Sequence, residues 1–244
     1  MSLSPCGMLT CVRLRVLNFA LLLLATAATA QQTTWRFDNL ARIGDAPVTI
    51  VGIPKIVDTN LGKAIHFEGG ADSGDALFFD TLPLAGTLPY TWEVIFRPSS
   101  AGAPAQRFFH LQEAGSEKRR LFELRIVDGK WCLDSFAGVN GTTDPAHAVA
   151  LLNCDADHLF PLDRWYAVAA IYDGKVLRNY VNGVLQGEKE VALLPLGKGG
   201  TSVGTRYNKR DFFTGDIFSA RFTTRPLPLN ELLKVPAEKP STSQ

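Results

Sequence analysis

Two short stretches concentrate side chains able to grip a sugar. Arg206-Tyr207-Asn208-Lys209-Arg210-Asp211 sets guanidinium, amide and carboxylate groups around one aromatic ring, and Asn140 stands in the polar stretch Val139-Asn140-Gly141-Thr142-Thr143-Asp144. A pyranose offers C–H faces to an aromatic plane and hydroxyls to polar neighbours, so an amphipathic ring beside forked donors is the chemistry of carbohydrate binding. Tyr207, Arg206, Asn208, Arg210, Asp211 and Asn140 are therefore the candidate ligand-binding residues. Trp131, Tyr166, Tyr172 and Tyr180 are further candidate platforms. Asn140-Gly141-Thr142 also fits a glycosylation acceptor.

Catalytic chemistry finds less to work with. Hydrolysis of a glycosidic bond needs two carboxyl groups about 5–9.5 Å apart, and positions i and i+2 of one strand share a face. Glu93 is followed at i+2 by Ile95, Glu123 by Arg125 and Asp134 by Phe136. Glu188 and Glu190 satisfy the spacing, but they flank Lys189 soon after an Asn-Gly turn and read as a charged edge strand. Glu123 reads as an ion-pair partner of Arg125, and Asp155 and Asp157 as loop residues. His110 shares strand parity with Phe108 and Gln112, and both it and His66 read as structural. A Gly-x-Ser-x-Gly nucleophile turn is absent. No catalytic residue is assigned.

The N-terminus points outward from the cytoplasm. Arg13 and Arg15 precede an apolar run through Leu21-Leu22-Leu23-Leu24, and Ala28-Thr29-Ala30 offers a small-x-small cleavage site. That order marks a signal peptide over 1–30, with Met1 or Met8 as its start; the apolar run falls short of the ~20 residues a membrane span needs. The expected location is secreted, periplasmic or cell-surface, with no membrane anchor after cleavage. Beyond it, 23 Lys and Arg face 24 Asp and Glu, a balance with no field for nucleic acid. Cys132 and Cys154 remain, and in an oxidising compartment they are a candidate disulfide.

Strands must position these groups. Thr91-Trp92-Glu93-Val94-Ile95-Phe96-Arg97 alternates, placing Trp92, Val94 and Phe96 on one buried face and Glu93, Ile95 and Arg97 on the other. Asp128-Gly129, Asp173-Gly174 and Asn182-Gly183 lie between β-rich runs and predict two-residue hairpin turns. The last two imply a three-stranded meander over 165–191. Only 228–233 reads as a turn of helix, and loops are expected at 98–105, 114–118, 138–157 and 196–200. Many short strands with regular turns give an all-β sandwich or barrel, one domain over 31–235 with a frayed tail over 236–244.

Five stretches in order resemble the laminin-G-like branch of the concanavalin A-like lectin/glucanase superfamily: Gly62–Gly69, Tyr90–Pro98, Arg164–Ala169, Tyr172-Asp173-Gly174 with Tyr180–Gly183, and Gly204-Thr205-Arg206 leading to Gly215-Asp216-Ile217 and Arg225-Pro226-Leu227. The resemblance implies a jelly-roll β-sandwich of two antiparallel sheets, with Trp35, Trp92 and Trp165 in packing positions. It also implies a possible structural calcium at the Phe67-Glu68-Gly69-Gly70 turn, with Asp72 and Asp75 behind it. The family commonly has Asp after the Gly-x-Ile; here that position is Phe218, with Asp216 on the opposite strand parity. The strand Phe122-Glu123-Leu124-Arg125 is similar to one in jelly-roll alginate lyases, whose Gln-x-His and Tyr-x-Lys motifs are not matched.

The expected function is an exported, non-catalytic module recognising a polysaccharide or glycoconjugate. The alternatives are a glycosidase or polysaccharide lyase with dispersed catalytic residues, and a protein–protein adhesion domain.

Overall fold

The structure, a computed structural model, describes residues 31–139 and 145–237. The expected signal peptide, Asn140 and all but two residues of the tail lie outside the described residues. Two large antiparallel sheets face each other. The first runs in the order Val184–Glu190, Val176–Val181, Tyr166–Tyr172, Tyr90–Pro98, Gly215–Thr223, Gly62–Phe67, Lys55–Thr59, with Gln32–Arg36 also pairing Gly215–Thr223. The second runs Ala148–Leu152, Lys130–Gly138, Arg119–Val127, Ala105–Glu113, Gly199–Val203, Ala76–Phe79, Thr49–Val51, with Phe160–Pro161 beside Lys130–Gly138. This is the jelly roll the resemblance implies.

The core lies between the sheets and is aromatic. Trp92, Val94 and Phe96 all point into it and are buried. The Trp92 ring meets Phe122 at 4.2 Å and Phe109 at 5.4 Å from the opposite sheet, and Phe96 stacks on Phe108 at 4.3 Å. Aromatic burial of this kind supplies the largest single contributions to a core.

Turn chemistry sets the hairpins. Asp128 and Gly129 (φ 50° and 70°) and Asn182 and Gly183 (φ 49° and 79°) take the left-handed conformations of a two-residue turn. Asp173 does otherwise: its carboxylate accepts the N–H groups of Lys175 and Val176, so the connection is longer than two residues. The expected loop over 138–157 contains the strand Ala148–Leu152, which pairs along Lys130–Gly138 as the edge of the second sheet. Cys132 and Cys154 are bonded, with Cα atoms 5.3 Å apart. The bridge ties the segment after this edge strand back to the sheet, a loop worth roughly 3 kcal/mol in the chain-entropy model.

The outer faces of the two sheets differ. On the first, the C-terminal segment folds back: Leu227 and Leu232 are buried against Ala169, Ile171 and Tyr180, and Leu233 and Val235 pack on the patch of Ile95 and Phe218. Glu93 and Ile95 are thus buried on the face where the alternation predicted exposure. Glu93 holds Arg221 through two bonds of 2.6 and 2.9 Å and accepts the Leu233 N–H at 2.6 Å. The outer face of the second sheet carries mostly charged and polar side chains and is overhung at one end by residues 204–211.

Candidate functional site

A β-bulge builds the open face. In Ala105–Glu113, Arg107 pairs Glu123 and Phe109 pairs Phe122, so Phe108 is an extra residue in its strand. Phe108 and Phe109 both enter the core, while Arg107, His110 and Gln112 all turn outward. Simple alternation would have set Arg107 and His110 on opposite faces and His110 with Phe108; the bulge corrects both expectations. Beside them, Arg119, Leu121, Glu123 and Arg125 project from the next strand, and Asp134 and Phe136 from the one after it.

The segment after Gly199–Val203 overhangs this face. Lys209 and Asp211 adopt positive φ (58° and 56°), Lys209 N–H bonds Arg206 C=O at 2.8 Å, and Asp211 reaches Arg107 at 2.8 Å. Tyr207 N–H donates to His110 Nδ1 at 2.8 Å, which assigns the proton of that imidazole to Nε2. The Tyr207 ring stands edge-on to Phe78 at 5.6 Å and His110 at 6.1 Å, and its hydroxyl lies so close over Gly200 that any side chain there would collide. Tyr207 is nonetheless 36% exposed. Of the sequence candidates, Arg206, Tyr207, Asn208, Arg210 and Asp211 therefore cluster at one rim, with Asp211 turned inward as a strut. Trp131, Tyr166, Tyr172 and Tyr180 are buried and cannot serve as platforms. Trp131, Tyr166 and Tyr172 fill the core, Tyr180 lies under the C-terminal segment, and the Tyr166 and Tyr172 hydroxyls donate to backbone carbonyls.

Two cavities flank the rim. One of about 560 Å³ is bordered by Gln112, Ser116, Glu117, Gly200, Tyr207 and Asn208. The other, about 270 Å³, is bordered by Arg119, Arg206, Glu123, Arg125, Asp134 and Phe136. A third, mostly apolar cavity lies on the opposite side of the molecule, under the C-terminal segment beside Trp165.

Glu123 and Asp134 form a carboxyl pair that single-strand spacing does not reveal. They face each other directly across the Asp128-Gly129 hairpin. Arg107 binds Glu123 at 3.0 Å and Arg125 binds Asp134 at 2.8 Å, with Arg125 3.9 Å from Glu123. Burial, and then the adjacent Glu123, push the Asp134 carboxyl up to about 6. The two-residue turn was the available signal, because it dictates which residues lie opposite.

Across the molecule, Asp216 accepts from His66 Nδ1 at 2.8 Å and from Arg97 at 2.6 Å. The bond to Asp216 raises the His66 pKa. Asp75, a candidate calcium ligand, accepts the N–H groups of Ile53 and Glu68 with its two oxygens. Among the described residues, no three His, Cys, Asp or Glu side chains converge as a metal cluster.

Asp134 and His66 both hold a proton more tightly folded than unfolded. Each then stabilises the fold fully below its ordinary value (3.8 and 6.5), and that stability is lost as pH rises through the folded value, about 6 for Asp134 and above 6.5 for His66. His110, held neutral by burial, contributes the opposite slope, since its folded value lies near 3, so the difference between wild type and variant is the readout: relative to Asp134→Asn, the wild type should lose stability as pH rises from about 4 to 6. An equal pH slope in the two proteins contradicts the assignment.

No curated protein matches the sequence significantly. Among solved structures, the chain is similar to domain 4 of AbnA, a GH43 extracellular arabinanase from Geobacillus stearothermophilus, in complex with arabinotriose: 17% identity, TM-score 0.59, covering 83% of this chain and 96% of that one. It is also similar to the binding domain of botulinum neurotoxin DC in complex with SialylT (11%, TM-score 0.55, 82% and 48%) and with rat synaptotagmin II (10%, TM-score 0.55, 82% and 49%). The chain thus spans about half the length of the toxin domain. At these identities the likeness is one of fold. A family model described as the concanavalin A-like lectin/glucanases superfamily matches residues 70–232, two thirds of the sequence, and the chain belongs to that superfamily.

Proposed function

We propose that residues 31–235 are an exported, non-catalytic binding module whose ligand, a polysaccharide or glycoconjugate, lies along the open face of the second sheet. The observation that carries this reading is Tyr207: an exposed ring on a supported loop, with Gln112, Asn208 and Glu117 around the cavity beside it. A ring set above forked hydrogen-bonding groups suits a pyranose. The disulfide favours an oxidising compartment, and two relatives of the same fold are in complex with arabinotriose and SialylT.

The carboxyl pair is the one feature favouring an enzyme instead. Glu123 and Asp134 lie opposite each other on adjacent strands and each is clamped by an arginine, whereas hydrolysis needs one carboxyl free to give a proton and another free to attack or to activate water. The locked arrangement favours a structural role.

Binding of the protein to a broad glycan array, with reducing-end and unsaturated-product assays on the same polymers, tests both readings. The expected result is retention of one class of glycan without turnover. Silence across the array contradicts the binding reading, and turnover abolished by Asp134→Asn contradicts the non-catalytic one.

A further inference from the structure

The ion pairing of the open face leaves one end of the smaller cavity unbalanced. Arg107 is matched by Glu123 and Asp211, and Arg125 by Asp134. Arg119 and Arg206 are not matched in this way. Arg119 is 7% exposed, with its guanidinium carbon 4.6 Å from the Phe136 ring centroid, and it donates to the backbone carbonyl and the carboxylate of Glu117, each at 3.2 Å, a residue whose side chain is 67% exposed. Its buried Nε has no acceptor. Arg206, half-buried at the same cavity, makes no ion pair among the described residues. The two guanidiniums are close enough that burial and then the charge of Arg206 lower the Arg119 pKa. His110 beside them is neutral, pushed down to about 3 by burial first and then by Arg119 and Arg206, and its Nε2–H also finds no acceptor.

Like charges drawn together while buried donors stand unpaired cost stability unless something answers them. A ligand anion in the cavity that Arg119 and Arg206 border would offset their mutual repulsion. We infer that Arg119 and Arg206 form an anion-binding subsite on the open face, and that the ligand of this module is an acidic glycan bearing carboxylate or sulfate groups. The inference rests on the proposed binding reading and narrows its ligand class. Planar guanidinium forks match both oxyanions, giving two parallel bonds to one group. The neutral pyranose face is left to Tyr207, at the same rim. Since the chain as a whole is close to neutral, formally +1, attraction to a polyanion would have to be local. It would still weaken with salt, as exposed charge–charge contacts do.

The test is a titration of the protein with polygalacturonate, dextran sulfate and uncharged dextran, for the wild type, Arg206→Ala and Arg206→Glu. Among the described residues the Arg206 side chain makes no ion pair to lose, and thermal midpoints matching the wild type would confirm that the variants are folded. The wild type should bind polygalacturonate if uronates are recognised, or dextran sulfate if sulfate esters are. Binding should weaken at high salt, by about tenfold in Arg206→Ala, and further in Arg206→Glu, as expected for loss of a charge-assisted bond. Equal affinity for uncharged dextran, unaffected by either variant, would overturn the anion subsite and leave the binding module standing. Acidic polymers bound equally by all three proteins would also overturn it. Failure of the folded wild type to bind any of the three would count against both.

Discussion

Replacing Trp92 with alanine should destabilise the fold by about 3–5 kcal/mol, the range for large core aromatics. For a protein of this size that lowers the thermal midpoint by roughly 6–20 °C. The ring is 1% exposed and touches Phe122 and Phe109 of the opposite sheet as well as Phe222 of its own. Its removal therefore opens a void where the two sheets meet, walled by rings too rigid to collapse into it. Equilibrium denaturation measures the loss. A shift below about 1 kcal/mol would mean that the sheets do not pack through this residue.

Glu93→Ala should cost a similar amount, about 3–5 kcal/mol, by another route. It leaves the Arg221 guanidinium without its carboxylate in a nearly dry site, and removing one partner of a buried pair is the expensive change. It also removes the acceptor of Leu233 N–H, so the C-terminal segment loses its anchor on the first sheet. Cleavage after Lys234 by a lysine-specific protease should then accelerate at temperatures where the domain is still folded. Unchanged cleavage alongside lost stability would show that apolar packing alone holds the segment.

Local chemistry was legible in the sequence, and so was much of the fold. Asn182-Gly183 and Asp128-Gly129 declared their hairpins, and Trp92, Val94 and Phe96 declared their face, because both signals depend on neighbours in the chain. Cys132 and Cys154 were identified as the only cysteines left after the N-terminal segment, and they pair. Contacts between distant segments were not legible. Glu93 binds an arginine 128 residues away and His66 an aspartate 150 residues away, and neither has any local signature. The bulge at Phe108 was equally hidden, since an inserted residue changes facing without changing composition. Within the proposed site, the rim of Tyr207 is suggested by its residue types. Its floor of His110, Arg119 and Glu123 was missed, because outward facing there depends on that bulge and on pairing between strands.

The central claim is that ligand binds on the open face of the second sheet, beside Tyr207. Affinity electrophoresis of the wild type and Tyr207→Ala through gels containing arabinan, polygalacturonate or dextran sulfate tests it most directly. The backbone N–H that bonds His110 is kept in this variant, so the loop should hold its shape. Whichever polymer retards the wild type should be bound about tenfold or more weakly by the variant, as for an aromatic anchor of an interface, with an unchanged thermal midpoint. Retardation equal to the wild type would contradict the account and move the ligand to another surface.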